Sequence, residues 1–516
     1  MSRFMSCSAI FAALACGCAA PLDPTEIDDG TDPAADGDPA TDGEPAVEEA
    51  APTPQSWAAL TPDPSAVVGN GWCYWNYTWN GTSARVYAPS NGGCDSSIHS
   101  PLVVLMRGVG FPHTNYHYLL RHLARNGYIG VAVDSLPSGV TQADYQAAAD
   151  DAWAFVKDFM WTTWSKRFFI DPSRVGLIGH SRGGEAVKFL AEKLKADPVF
   201  DVRAVISLAP TNFHHVKLTG QNTVGAMTIV GSADADTTTD RAYSSHDETG
   251  SDASQQDPAI NPSVVYRSMK LLGGGNHGGF AAEAAQGSVT QGYALAFLHA
   301  HLKGDVTYYE DYVRGDSVPF GWPSAVTTQE SDGFLRRVID NFDDGATANS
   351  TIGGNVAVAF GAGGVIDLGS STITPHHTHA LQYTAPPSGS GFWWSIPAGK
   401  RNVTAFKYLS LRVGQSDGPA TDDLRVRIFN SGVASPWVRV TDHGPLAQPV
   451  NMCLQSALGI CQLIDVQAHM GTIRISLDAF GAHNDVTAVE IGAANEAIGS
   501  RFLIDNLEFS EFILKP

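Results

Sequence analysis

Ser181 has a glycine two positions away on either side, in Gly179-His180-Ser181-Arg182-Gly183. The apolar run Arg174-Val175-Gly176-Leu177-Ile178 leads into it, and residues 184–194 behind it carry the pattern of a helix. A serine at the tip of so tight a strand-to-helix turn needs neighbours without Cβ atoms, because the chain on the two sides nearly collides. The turn lifts the hydroxyl above the sheet edge and aims the first helical N–H groups at the group under attack. The chemistry such a residue can do is nucleophilic addition to a carbonyl carbon, once a base has taken its proton.

The base needs an orienting carboxylate, and on a turn of this kind the chain order is serine, acid, histidine. Asp234 follows the apolar run Met227-Thr228-Ile229-Val230 within Gly231-Ser232-Ala233-Asp234-Ala235-Asp236 and is the first candidate for the acid; Asp236 is the second. His277, in Gly274-Gly275-Asn276-His277-Gly278-Gly279, follows the last strand and precedes the closing helix, so it is the candidate base. His246 comes before that strand, and His299 and His301 fall on the helix. A tetrahedral oxyanion needs two backbone donors. Arg182 supplies one; Val109, with Gly108 as the alternative, supplies the other from Arg107-Gly108-Val109-Gly110 after an early strand.

These residues need a sheet to hold them. From 57 to 312 strands and helices alternate: strands at Pro101–Met106, Tyr128–Asp134, Ala204–Leu208, Met227–Val230 and Ser268–Leu272, helices at Tyr116–Arg125 and Tyr145–Trp164, and a closing helix at Gln291–Leu302. That alternation predicts an α/β fold, a mostly parallel sheet covered by helices on both faces, with ligands beyond the carboxyl ends of the strands. Residues 313–333 read as a linker. From 334 to 516 the helical period disappears, and short alternating runs such as Leu424-Arg425-Val426-Arg427-Ile428 predict an antiparallel β-sandwich.

The stretch from Leu102 to Lys303 resembles the α/β-hydrolase superfamily, and most of all its dienelactone-hydrolase, chlorophyllase and polyester-hydrolase branch. The residues that carry the resemblance are Val103-Val104-Leu105-Met106-Arg107-Gly108, Gly127-Tyr128-Ile129-Gly130-Val131-Ala132-Val133-Asp134, Gly179-His180-Ser181-Arg182-Gly183-Gly184 and Asn276-His277. Many relatives have His-Gly where this chain has Arg107-Gly108, which changes the pocket wall but not the backbone donor. The resemblance implies hydrolysis of carboxylic esters with no cofactor or metal in the catalysis. The last region resembles jelly-roll carbohydrate-binding modules, through Val338-Ile339-Asp340-Asn341-Phe342-Asp343-Asp344 and Leu503-Ile504-Asp505-Asn506-Leu507-Glu508-Phe509. Paired acidic termini of this kind often hold a structural calcium, and such modules bind polysaccharide; the plain alternative is a domain that shields or spaces the enzyme.

The 516 residues carry a formal charge of −21, and residues 22–56 hold eleven acids and no Lys, Arg or His. The imbalance argues against a nucleic-acid partner. Segment 21–56 reads as a disordered, Pro-rich acidic tether. Before it, residues 1–20 read as a secretory signal. Ala13-Leu14-Ala15-Cys16 resembles a bacterial lipobox, although alanine stands where leucine is usual; Cys18 is the poorer site, and free secretion is the alternative. The location implied is extracytoplasmic, with membrane contact only through the lipid. The remaining cysteines pair by proximity as Cys73–Cys94 and Cys453–Cys461.

Weaker signals complete the reading. The unit His376-His377-x-His379 could hold a metal but reads first as a solvated loop, and Trp72, Tyr74, Trp75, Tyr77 and Trp79 read as one aromatic face. Arg182 is placed to pair with Glu185 or Asp150, and Asp134-Ser135-Leu136-Pro137 to line the pocket. The sum is a secreted or surface-anchored serine esterase. Its alternatives are a non-catalytic glycan-binding surface module on a degenerate hydrolase fold, and an acyltransferase.

Overall fold

The computed structural model describes residues 46–48, 63–66, 71–90, 99–162, 170–218, 224–249, 266–315, 317–322, 326–331, 335–342, 344–345, 348–358, 363–368, 374–376, 378–385, 391–417, 424–457, 460–493 and 499–511. The signal-like segment with Cys16 and Cys18, most of the acidic segment, Cys94, Asp343 and His377 lie outside the described residues.

Ten strands form one mixed sheet. In chain order they are β1 (Ala46–Glu48), β2 (Gly71–Trp79), β3 (Thr82–Ser90), β4 (Ser100–Met106), β5 (Ile129–Val133), β6 (Ile170–His180), β7 (Val202–Leu208), β8 (Gly225–Gly231), β9 (Tyr266–Leu272) and β10 (Val326–Ser331). Across the sheet they run β1-β2-β3-β5-β4-β6-β7-β8-β9-β10. The stretch from β5 to β9 is parallel and the two margins are antiparallel. Strands β4, β5, β8 and β9 are buried along their whole length. The cause is cover on both faces, which is why a run such as Leu102–Met106 needs no polar alternation. Helices α1 (His117–Arg125) and α5 (Ala285–Leu298) pack on one face, with Leu119, Leu123 and Phe297 in one core. Helices α2 (Gln142–Thr162) and α3 (Arg182–Leu194) pack on the other, with Phe155, Val187 and Leu190 in a second.

The structure differs from the sequence reading in three places here. Ala46–Glu48, inside the expected tether, pairs with Trp72–Tyr74 as an added edge strand. An edge strand's free N–H and C=O groups accept any extended segment within reach. Strand β10 lies inside the expected linker 313–333 and closes the opposite margin against β9. The aromatics of β2 do not share one face. Strand period two sends Trp72 and Tyr74 to the α1 side and Trp75, Tyr77 and Trp79 to the α2 side.

The C-terminal region is antiparallel. Its strands are β11 (Leu335–Asp340), β12 (Val356–Val358), β13 (Gly363–Asp367), β14 (His379–Thr384), β15 (Phe392–Ser395), β16 (Tyr408–Asp417), β17 (Leu424–Asn430), β18 (Val433–Ala434), β19 (Val438–Arg439), β20 (Val450–Ala457), β21 (Ile460–Gln467), β22 (Gly471–Ser476), β23 (Val486–Ala493) and β24 (Arg501–Glu511). One sheet has the order β13-β14-β24-β16-β22 with β11 beside β24; the other has β12-β15-β23-β17-β18 with β19 beside β17. Both contribute to one core that includes Leu381, Trp394, Leu411, Ile428, Ile491 and Phe509. The alternation of Leu424–Asn430 becomes buried Leu424, Val426 and Ile428 between half-buried arginines. Strands β20 and β21 form a separate hairpin, and Cys453 and Cys461 are disulfide-bonded in it. Cys73 is also disulfide-bonded.

A buried ionic cluster joins the two regions. Asp247 of α4 (Thr239–Glu248) has its Oδ2 3.4 Å from His376 Nδ1 and its Oδ1 3.5 Å from a guanidinium nitrogen of Arg412, which also pairs with Asp505. All four residues are buried. Burial by itself would raise the Asp247 carboxyl. The charge of His376 and its hydrogen bond, then Arg412, outweigh burial and hold the carboxyl well below the usual range. Arg412→Met leaves two buried carboxylates without their guanidinium and should cost about 3–5 kcal/mol in urea unfolding at neutral pH. A carboxylate depressed in the native state stabilises fully above its unfolded pKa of about 4 and loses that contribution as acid protonates it, so the deficit of the variant should shrink below that pH.

Two further acidic candidates, Asp340 and Glu508, are likewise engaged. Asp340 accepts from Phe342 N at 3.1 Å and Trp394 Nε1 at 2.9 Å, and Glu508 pairs with Arg336 at 3.3 Å. His376 faces Asp247 from inside the joint, not from a solvated loop, and His379 lies in β14. Among the described residues, no group of three or more His, Cys, Asp or Glu is placed to hold a metal ion.

Candidate active site

Ser181 stands between β6 and α3 with φ 56° and ψ −123°. A non-glycine residue at positive φ is strained and persists only where its surroundings hold it. Here the Ser181 N–H donates to Leu208 O at 2.9 Å, and the Ser181 carbonyl accepts from Gly184 N at 2.9 Å and Thr211 N at 3.2 Å. The flanking glycines are sterically required. A Cβ on Gly179 would come within 2.0 Å of Gly183 O, and one on Gly183 within 2.3 Å of Met106 O. Glu185, one turn into α3, accepts from Thr211 Oγ1 at 2.7 Å, Phe213 N at 3.1 Å and His214 N at 2.7 Å, tying the loop after β7 to the helix that Ser181 begins.

The candidate acid and the candidate base meet. His277 Nδ1 lies 2.9 Å from Asp234 Oδ2, and both side chains are almost inaccessible to solvent. A carboxylate only accepts, so the imidazole carries its proton on Nδ1 and presents Nε2 as a free base. Burial alone would raise the Asp234 carboxyl, but the His277 hydrogen bond and charge, with the amides of Thr237 and Asp236, hold it below the usual range. Those amides bind Oδ1 at 3.0 and 2.9 Å, and Thr237 Oγ1 donates to Oδ2 at 3.0 Å. Asp236 is exposed and contributes its backbone to Asp234. The loops that carry acid and base are tied through Ser232. Its hydroxyl accepts from Gly274 N at 2.9 Å, and its carbonyl accepts from Cys453 N of the β20–β21 hairpin at 3.0 Å. Gln286 of α5 grips Asn276 twice, accepting from its N–H at 3.0 Å and donating to its carbonyl at 2.7 Å.

The loop after β4 crosses the nucleophile turn. A Cβ on Gly108 would lie 3.1 Å from Ser181 Cβ, so this backbone is against the serine. The Gly108 N–H donates to Tyr116 Oη at 3.0 Å. Among the described residues the Val109 and Arg182 amides have no acceptor. Phe111 covers this corner, its ring 5.3 Å from His180 and 6.3 Å from His277, and the His180 and His277 rings are 4.6 Å apart.

Charged groups rim the site. Arg107 pairs with Asp134, and His113 Nδ1 is 3.9 Å from the same carboxylate. Burial, ahead of the opposing Asp134 charge, lowers the His113 pKa. Arg182 Nη1 donates to Gly139 O at 3.3 Å and does not meet Glu185 or Asp150, which bind the loop after β7 and Lys193 instead. Arg182 thus reaches the loop after β5, whereas Glu185 is buried. Ser135 is buried and donates to Ala148 O, so this member of the expected pocket wall faces inward.

Ser181, Gly108, Val109 and Arg182 therefore gather at the carboxyl ends of the adjacent strands β4 and β6, while Asp234 and His277 meet from the ends of β8 and β9. Sequence reasoning did not single out Tyr116, Thr237, Ser232 or Gln286. Each acts through hydroxyl, amide or carbonyl groups with no motif around them, and only Thr237, three residues after Asp234, is close enough in the chain to have been found as a local turn partner. No protein-family model matches the chain, and no curated protein matches it.

Proposed function

We propose that the chain is an extracytoplasmic serine hydrolase of carboxylic esters, built on an α/β-hydrolase fold with a jelly-roll domain behind it. The observation that carries this reading is the 2.9 Å pair of His277 and Asp234, with the His277 ring 4.6 Å from that of His180, next in the chain to a serine held at positive φ between two obligatory glycines. Strain of that kind persists where function needs it. Ser181 Oγ adds to the ester carbonyl while His277 Nε2 takes its proton; the C–O bond then breaks and the alcohol leaves with that proton. Water attacks the acyl-serine by the same route and releases the acid. Arg182 and Val109 donate to the oxyanion, and the N-terminus of α3 adds its dipole. This chemistry takes its protons from side chains and solvent and draws on no cofactor.

A signal and a lipid on Cys16 would place the enzyme at a cell surface. Among the described residues no helix is long and apolar enough to cross a membrane. The C-terminal domain is proposed as a carbohydrate-binding module that holds the enzyme on a glycan carrying or surrounding its ester. A fluorophosphonate probe tests the central claim, because it phosphonylates only an activated serine. Labelling of the intact protein, with the adduct on the peptide that contains Ser181, is the expected result. An unlabelled folded protein would mean a non-catalytic surface module.

A further inference from the structure

We propose that Tyr116 is a positioning residue for oxyanion stabilisation. Through His180 it locks the Gly108–Val109 backbone to the nucleophile turn, so that of this loop's two amides it is Val109, beside Arg182 of the turn, that faces the reacting carbonyl. The inference rests on the serine-hydrolase reading and extends it to a residue that touches neither substrate nor Ser181.

Tyr116 is fully buried between two groups of the site. Its Oη accepts the Gly108 N–H at 3.0 Å and stands 2.7 Å from His180 Nδ1. A phenol has one proton to give. The Gly108 amide can only donate, so the acceptor left for the phenolic proton is His180 Nδ1, which puts the imidazole proton of His180 on Nε2. The resulting chain is Gly108 N–H to Tyr116 O–H to His180, the residue that immediately precedes Ser181. It joins two loops that are otherwise only in contact.

The charge state of the chain is constant. Burial, reinforced by the His277 charge, holds the His180 pKa well below the usual histidine value, and burial pushes the Tyr116 phenol far above its own. Both groups stay neutral while His277, 4.6 Å away, cycles through its imidazolium form. A charge on His180 would repel that form.

The geometric consequence falls on the oxyanion donors. With the Gly108 amide turned toward Tyr116, the next amide, Val109, is the one left for the oxyanion. The Gly108 carbonyl accepts Phe111 N at 3.3 Å and closes the loop on its other side. No side chain fits between this loop and the His180 ring, since His180 Nδ1 lies 2.8 Å from where a Gly108 Cβ would be. A tyrosine that only filled the core would need one partner for its hydroxyl. This one has two, on the two loops whose separation sets the oxyanion hole.

The test uses the full-length protein and p-nitrophenyl acetate. Deleting an oxyanion donor outright costs about 10²–10³ in kcat, so loosening one through Tyr116→Phe should lower kcat roughly 10- to 100-fold and leave KM within about threefold. Affinity for an aryl trifluoromethyl ketone, whose hemiketal oxygen occupies the hole, should fall in proportion to kcat/KM. The deficit should be the same at every pH between about 6 and 9. His180→Asn, which keeps an acceptor near Tyr116 Oη, should retain most of the activity, and His180→Leu should lose as much as Tyr116→Phe.

An unchanged kcat and ketone affinity in Tyr116→Phe overturns the inference. So does a loss confined to melting temperature and KM, which marks a packing role. If Tyr116→Phe does not fold, equal activity of the two His180 variants overturns it. Wild-type turnover that is abolished by Ser181→Ala but intact in Tyr116→Phe rejects this inference alone, whereas a wild-type chain without ester turnover rejects the hydrolase reading and this inference together.

Discussion

Ser181→Ala should lose at least about 10⁴-fold of the kcat for p-nitrophenyl esters, with its melting temperature unchanged. The alanine Cβ keeps the contacts that the serine Cβ makes, including the one with Gly108. Only the side-chain hydroxyl goes. The Leu208, Thr211 and Gly184 bonds that hold the turn are all to the backbone of residue 181 and survive the change. Ser181→Gly separates strain from chemistry. At φ 56° a glycine carries no Cβ penalty, so this variant should be equally inactive yet more stable than wild type by about 1 kcal/mol. Differential scanning calorimetry beside an esterase assay reads both quantities. Wild-type turnover in either variant would remove Ser181 from the mechanism.

Asp234→Asn should lower kcat by about 10⁴-fold with little change in KM, and Asp236→Asn should stay within about twofold of wild type. An asparagine at 234 turns its amide toward His277 Nδ1. The imidazole proton then moves to Nε2, where the base needs a lone pair. The stabilisation of the imidazolium by a buried carboxylate goes as well, and it is a large term because the pair is nearly free of solvent. At 236 only the backbone N–H serves the site, and Asn leaves that group in place. Steady-state kinetics on the two variants decides between the aspartates. A large loss at 236 with a small one at 234 would reverse the assignment.

The pair also shows how far a sequence alone can discriminate. Asp234 and Asp236 sit two residues apart in the same short loop, and nothing local ranks them strongly. The ranking comes from two long-range events. β8 and β9 run parallel and bring Ser232 against Gly274, and the turn at 234–237 then folds the Asp236 and Thr237 amides onto Asp234, leaving Asp236 in solvent. Val109 and Gly108 pose the same problem. Both amides lie in one glycine-containing loop, and the difference between them is Tyr116, which reaches one of them.

What was legible in the chain was whatever a local pattern must satisfy by itself. The Gly-x-Ser-x-Gly spacing is dictated by sterics inside five residues. Continuous apolar runs mark strands covered on both faces, alternating runs mark strands covered on one, and the order of serine, aspartate and histidine follows from the order of the strands that carry them. Tertiary structure alone decided the partners that meet from distant segments: Tyr116 with His180, Gln286 with Asn276, the hairpin amide of Cys453 with Ser232, and Asp247 with Arg412 across the joint of the two regions. It also sent the aromatics of β2 to two opposite faces and recruited Val326–Ser331 to the sheet margin. The reason is physical. A hydrogen bond or ion pair depends on where two side chains end in space, and that position is the sum of the packing of every element between them, whereas a steric rule or a periodicity is complete within the segment that shows it.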